Sequence, residues 1–243
     1  MYQNNKNYYR FKSIISNLQF IDKSILLNKD LILEEDKGIK IYYAPFEYIN
    51  KDAKIIIIGI TPGFTQMQIS YRELVKGINN NLTDLQILQN VKKEASFAGV
   101  MRKNLVEMLD ELNINTYLKI STTDKLFKEY NHLLHSTSVI KYPVFVNNHN
   151  YTGHTPNILK TKILYDYIFD GLGKELTSIP DAIIIPLGKI VQDSLNLLIY
   201  DNKIDSNRIL LNFSHPSGAN VNRKNFFNKN KKHYVSQIEK LFK

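Results

Sequence analysis

The chain of 243 residues contains no cysteine. That excludes a disulfide framework, a thiolate metal site and a cysteine nucleophile. No apolar run approaches the roughly 20 residues that span a bilayer. The first ten residues are polar and tyrosine-rich, without the apolar core of a signal peptide, so a cytoplasmic protein is the simplest expectation. No Gly-Lys-Ser or Gly-Lys-Thr follows a tight glycine turn, which removes a Walker phosphate loop, and the third glycine of a dinucleotide fingerprint is missing. There is no Gly-x-Ser-x-Gly elbow to present a serine nucleophile, Ser217 included. No internal repeat of solenoid length is visible.

What is present fits an ordinary globular protein. The hydrophobic share of 43% and the length suit a single domain, 1–243, with residues 1–50 as an N-terminal elaboration. The formal charge of +9 favours a polyanionic partner through phosphate neutralisation. A Lys-, Asn- and Ile-rich genome produces the same excess, so charge supports a conclusion here without founding one.

Four apolar runs, residues 54–58, 136–141, 182–186 and 208–213, read as buried parallel strands. Leu105, Met108, Leu109 and Leu112 fall on one helical face between them. Ile163, Leu164, Tyr167 and Ile168 form a second face, and Leu187, Ile190, Val191, Leu195 and Leu198 a third. Tyr234, Ile238, Leu241 and Phe242 indicate a closing helix. The expected fold is α/β, a three-layer α/β/α sandwich around a central, mainly parallel four-stranded sheet. Residues 38–43 read as a further strand, 77–83 as a flexible excursion and 147–156 as a long polar loop.

Ligands of such sheets bind beyond the carboxyl ends of the strands, and the unusual segments all lie there. Gly59-Ile60-Thr61-Pro62-Gly63 sets two glycines around a fixed proline, so backbone amides can face a small ligand; alone it is also a plain strand-to-loop turn. His215, opening Pro216-Ser217-Gly218-Ala219-Asn220, can donate to an oxygen that gathers negative charge, or simply satisfy a carbonyl beside a proline turn. His132 and His135 share a three-residue spacing but have no nearby carboxylate to complete a metal site, and both, with His149, His154 and His233, read as structural or surface residues. Phe97 can stack on a planar ligand or pack in the core.

Taken in order, these segments resemble the uracil-DNA glycosylase superfamily. Residues 59–63 resemble its first motif and 215–220 its last, while Ser96-Phe97-Ala98-Gly99 resembles its base-stacking segment. Residues 137–141 with Tyr142-Pro143 resemble the strand carrying the base-reading residue, and 183–189 the strand and turn before the last motif. The resemblance implies a monofunctional DNA glycosylase that flips a nucleotide from DNA and hydrolyses its glycosidic bond, without metal or organic cofactor. In that reading His215 stabilises the departing base, and the Ile60-Thr61 segment positions water. Gly59, Pro62, Gly63, Phe64, Phe97 and Ser138 bind the base. Ser217, Gly218, Ala219 and Asn220 press on the DNA, and Lys189 and Arg223 hold phosphates. The implied partner is DNA with a damaged or modified base, read by a monomer that needs no membrane.

Three departures qualify the activity. The superfamily usually has Asp, Asn or Glu where Ile60 and Thr61 stand, and neither of these is a base at neutral pH. A carboxylate such as Glu73 or Glu94 is the nearest substitute in sequence. Ser138 stands where an Asn is expected, and Gly63 where some members carry Tyr, which implies room for an enlarged or modified base. The missing carboxylate keeps a second reading open: a catalytically weak or inactive module that binds DNA or a modified base. Routine repair and defence against modified DNA both fit.

Overall fold

Isoleucines 55, 56, 57 and 58 are all fully buried, the pattern of a strand covered on both faces. Around it, the computed structural model describes residues 6–18, 23–218 and 220–242. The N-terminal part holds helices α1 (Lys6–Ser16) and α2 (Lys23–Leu26) and strands β1 (Ile32–Asp36) and β2 (Ile39–Tyr42). The isoleucine strand is β3 (Ile55–Gly59). It is followed by α3 (Phe64–Asn79), α4 (Asp84–Ala95), α5 (Val100–Asp110) and α6 (Ile114–Tyr117). Then come β4 (Leu134–Ser138), β5 (Val144–Val146), β6 (His149–Asn150), α7 (Lys162–Tyr167) and α8 (Lys174–Thr177). The chain closes with β7 (Ile183–Pro186), α9 (Lys189–Tyr200) and α10 (Arg223–Leu241).

The central sheet is parallel, in the order β4-β3-β7. Alternation along β3 sends Ile56 and Ile58 into one core with residues of α3, α4 and α9, and Ile55 and Ile57 into another with residues of α5 and α10. The fold is therefore α/β with apolar packing on both faces of the sheet.

The expected fourth strand is a correction. Of residues 208–213, only Ile209 bridges Ile184, and Leu210 N–H donates to the Ile184 carbonyl. Beyond that point Leu211 N–H turns to the Gln237 side chain, and Asn212 adopts φ 60°, outside strand geometry. Among the described residues the central sheet therefore has three strands.

A second sheet, antiparallel and ordered β1-β2-β5-β6, joins residues 38–43 to the region read as a polar loop. Residues 77–83 are also ordered rather than a flexible excursion. Gly77 to Asn79 belong to α3, and Thr83 caps α4 through a reciprocal pair with Gln86. Gly77 is required there, since a Cβ would lie 2.6 Å from Ile87. From the N-terminal segment, Tyr8, Phe11 and Ile15 enter the same core as Ile56 and Ile58, and Phe11 stacks on Tyr43 at 4.4 Å.

Candidate active site

The carboxyl ends of all three parallel strands open into one cavity of about 690 Å³. From β3 it takes the segment 59–63, whose position is fixed by the neighbouring strand. Val139 and Ile140 N–H groups donate to the carbonyls of Gly59 and Ile60. The Thr61 hydroxyl donates to the Tyr142 carbonyl at 2.7 Å and accepts from Val144 N–H at 3.2 Å. That side chain thus ties the turn to the chain leading into β5. Ile60 packs beneath Gly153, where a Cβ would lie 3.1 Å from Ile60 and 2.8 Å from Ile190.

A second wall is Phe97. Its backbone sits at φ 50°, a left-handed conformation costly for a bulky residue and characteristic of functional sites. The Arg102 guanidinium holds it there by donating to the carbonyls of Lys93, Glu94 and Ser96 at the end of α4. The ring edge rests on Gly59, where a Cβ would meet Phe97 at 3.3 Å and the Ser138 hydroxyl at 3.5 Å. Phe97, Gly59 and Ser138 thus border one slot.

His215 closes the site. Ser217 N–H donates to His215 Nδ1 at 3.1 Å, so the neutral ring carries its proton on Nε2. Burial holds His215 below the ordinary histidine pKa, which favours that neutral form. The loop is braced from both sides. Asn220 donates to the His215 carbonyl, Asn104 to the Pro216 carbonyl at 2.8 Å, and Arg223 to Ser217 O and Asn104 Oδ1. Gly188, at φ 91°, packs under the ring, and a Cβ there would lie 3.2 Å from His215 Cβ. Gly188→Ala is therefore expected to cost about 1–2 kcal/mol in stability from backbone strain and to displace His215. A thermal melt paired with an excision assay checks this, and an unchanged rate would show that the ring is not seated on that glycine.

A family model described as the uracil DNA glycosylase superfamily matches residues 46–241. The chain belongs to that superfamily. It is also 40% identical over 220 residues to the uncharacterized protein YoxB of Bacillus subtilis (strain 168), covering 90% of this chain and 86% of the relative. No solved structure matches the chain.

Within this superfamily member, the structure brings together Gly59, Ile60, Thr61, Pro62, Gly63, Phe97, Ser138, Lys189, His215, Ser217 and Asn220 around the cavity. Phe64 is not among them: it opens α3, packs its side chain against the core and donates its N–H to Asn150. Gly218 and Arg223 also lie off the cavity lining, Gly218 exposed and Arg223 engaged with the His215 loop. Ala219 falls outside the described residues. Lys189 is 86% exposed at the start of α9 and pairs with Asp193.

The space beside Gly63 is lined by polar side chains: a Cβ there would lie 3.1 Å from Gln66 Oε1 and 3.6 Å from Asn150 Nδ2. Neither suggested substitute carboxylate reaches the cavity. Glu73 pairs with Lys76 on α3, and Glu94 is exposed. Among the described residues no Asp or Glu lines the cavity, and no group of three or more His, Asp or Glu is placed to hold a metal ion. No helix among them is long and apolar enough to cross a membrane.

The most consequential residues not singled out from sequence are Lys92 and Lys141, both in the cavity wall. Lys92 is buried, and its Nζ donates to the Ser136 carbonyl at 2.7 Å. Burial lowers its pKa to about 8. Lys141 pairs with the buried Glu175 at 2.7 Å. Glu175 in turn accepts from His135 Nε2 at 2.6 Å, while His135 Nδ1 accepts from Asn50 N–H. One signal for Lys92 was available in the sequence. It falls among Leu88, Val91 and Ala95, on the helical face that is buried.

Proposed function

We propose that this chain is a DNA glycosylase that extrudes a uracil-like base and hydrolyses its N-glycosidic bond, leaving an abasic site. The observation that carries the reading is the neutral His215 held over the cavity with its Nδ1 occupied by Ser217 N–H. Its Nε2–H is then available to an oxygen of the departing base, where charge develops as the bond breaks.

In this mechanism the flipped base enters the slot bordered by Phe97, Gly59 and Ser138. Flipping costs about a few kcal/mol, which stacking on Phe97 and contacts to the DNA backbone offset. The C1′–N bond breaks with its electron pair leaving on the base. Water then bonds to C1′, and its proton ends on the base. With bond cleavage running ahead of attack on an oxocarbenium-like sugar, a weakly activated water suffices. The 59–63 backbone positions it, because the Thr61 hydroxyl is committed to Tyr142 and Val144. The exposed Lys189 lies at the cavity and is available to a phosphate.

The absence of a carboxylate from the described cavity lining favours one alternative, a glycosylase-like module that grips DNA or a modified base without cutting it. An alkali-cleavage assay on end-labelled DNA separates the two. The panel carries uracil, hypoxanthine, thymine mismatches and hydroxymethylated or glucosylated cytosine, each in single and double strands. Cleavage at one of these bases is expected from wild-type protein. DNA binding with no cleavage across the panel would transfer the assignment to the binding module.

A further inference from the structure

The glycosylase reading accounts for His215, Phe97 and the 59–63 turn but leaves two lysines in the cavity wall without a task. Lys92 reaches the cavity from α4 and Lys141 from the segment after β4. No carboxylate lies within ion-pair distance of Lys92 among the described residues, and its Nζ has one hydrogen bond there, to the Ser136 carbonyl. Its Nζ also lies 6.0 Å from the centre of the Phe46 ring, and an ammonium with three N–H groups and one hydrogen-bond acceptor retains donors that a ligand in the cavity can fill. Ser136 precedes Ser138 by two residues on β4, about 6.6 Å along a strand. Lys92 and the slot bordered by Phe97, Gly59 and Ser138 therefore belong to the wall of one cavity, with Lys92 held two residues before Ser138 on β4.

We propose that the back of the cavity is an anion-accepting subsite, in which Lys92 Nζ, supported by Lys141, holds an acceptor-only edge of the bound heterocycle and the negative charge left on it by bond cleavage. The inference rests on the glycosylase reading and adds a specificity-determining residue to it. Lysine donates and never accepts, so the subsite selects bases that turn carbonyl or ionised oxygen inward and rejects bases that turn an amino group there. It also replaces the missing motif carboxylate by a different strategy, strengthening the leaving group rather than the nucleophile.

The test uses free heterocycles, so that it stands apart from catalysis. Binding of barbiturate, a pyrimidine anion at neutral pH, and of neutral uracil is measured by calorimetry on wild type, Lys92→Met and Lys92→Arg, with melting temperatures alongside. Wild type is expected to prefer barbiturate by about tenfold or more, as a charge-assisted hydrogen bond implies. Lys92→Met is expected to erase that preference and Lys92→Arg to keep most of it. In wild type the barbiturate preference is expected to fall as pH rises past about 8, where Lys92 loses its proton. The titratable groups facing it are Glu175, Lys141, Glu47 and His135. This arm needs no variant to fold. An equal preference in Lys92→Met, or a wild type that binds uracil as tightly as barbiturate or binds neither, would overturn the proposal. Barbiturate preference in a protein that excises no base would keep the subsite and reject the glycosylase reading.

Discussion

His215→Ala is expected to lower base excision by about 10²–10³, the loss typical when one preorganised donor to a developing anion is removed. DNA affinity should change far less, because the ring acts on charge that appears only as the bond breaks. The substitution also releases Ser217 N–H from Nδ1, so loop disorder is a competing cause. His215→Gln separates the two, since its amide can still donate into the cavity. Partial recovery in that variant, with an unchanged melting temperature, identifies the lost donor as the defect. A rate within a few-fold of wild type in His215→Ala would remove this residue from the mechanism.

The pH profile gives a second readout for the same ring. Burial holds His215 below its ordinary value of 6.5, so the neutral form persists where an exposed histidine would already be charged. Excision is expected to stay level as pH falls through 6.5 and to decline only at lower pH, where imidazolium forms and Nδ1 can no longer accept from Ser217. A rate that rises as pH falls through this range would assign the work to imidazolium instead.

The parts of this site that sequence made visible are those built from local chemistry. A four-isoleucine strand breaking into Gly59-Ile60-Thr61-Pro62-Gly63, and a histidine opening a small-residue loop, carry their geometry within a few residues. The parallel order placed both at one edge of the sheet. Run 208–213 was apolar enough to read as a strand, but its pairing stops where Asn212 turns left-handed, a conformation that hydrophobicity does not report. The antiparallel sheet was hidden by the brevity of β5 and β6, with three and two residues. Lys92 stands beside Lys93 and Glu94, and the charge of that run masks the helical spacing with Leu88, Val91 and Ala95 that puts it on the buried face of α4. His135 and Glu175 lie 40 positions apart. Their pairing is a product of the fold, inaccessible to spacing arguments that looked for a carboxylate near the histidine.

Glu175 is where the fold and the cavity are most tightly joined, and Glu175→Leu is expected to be severely destabilising. The carboxylate is buried between His135 Nε2 at 2.6 Å and Lys141 Nζ at 2.7 Å. Burial alone would raise its pKa, but Lys141, His135 and Lys92 outweigh that penalty and hold it well below the ordinary carboxylate range. Leucine fills similar volume yet leaves Lys141 without its counter-charge and His135 without its acceptor. Breaking a buried pair in this way costs about 3–5 kcal/mol, a fall in Tm of roughly 6–20 °C for a chain of this length. The sign with pH follows from the depressed value. The contribution of Glu175 is fully present above its unfolded pKa near 4.5 and is lost as pH falls through the lower folded one. The gap between wild type and Glu175→Leu should therefore be widest near neutrality and close in acid. Equal melting temperatures at pH 7 would mean that Lys141 finds other compensation and that the ion pair is incidental. If the gap behaves as expected, Glu175 is what keeps Lys141 charged and seated in the cavity wall, and the carboxylate absent from the first motif has a counterpart behind the site, acting on a lysine rather than on water.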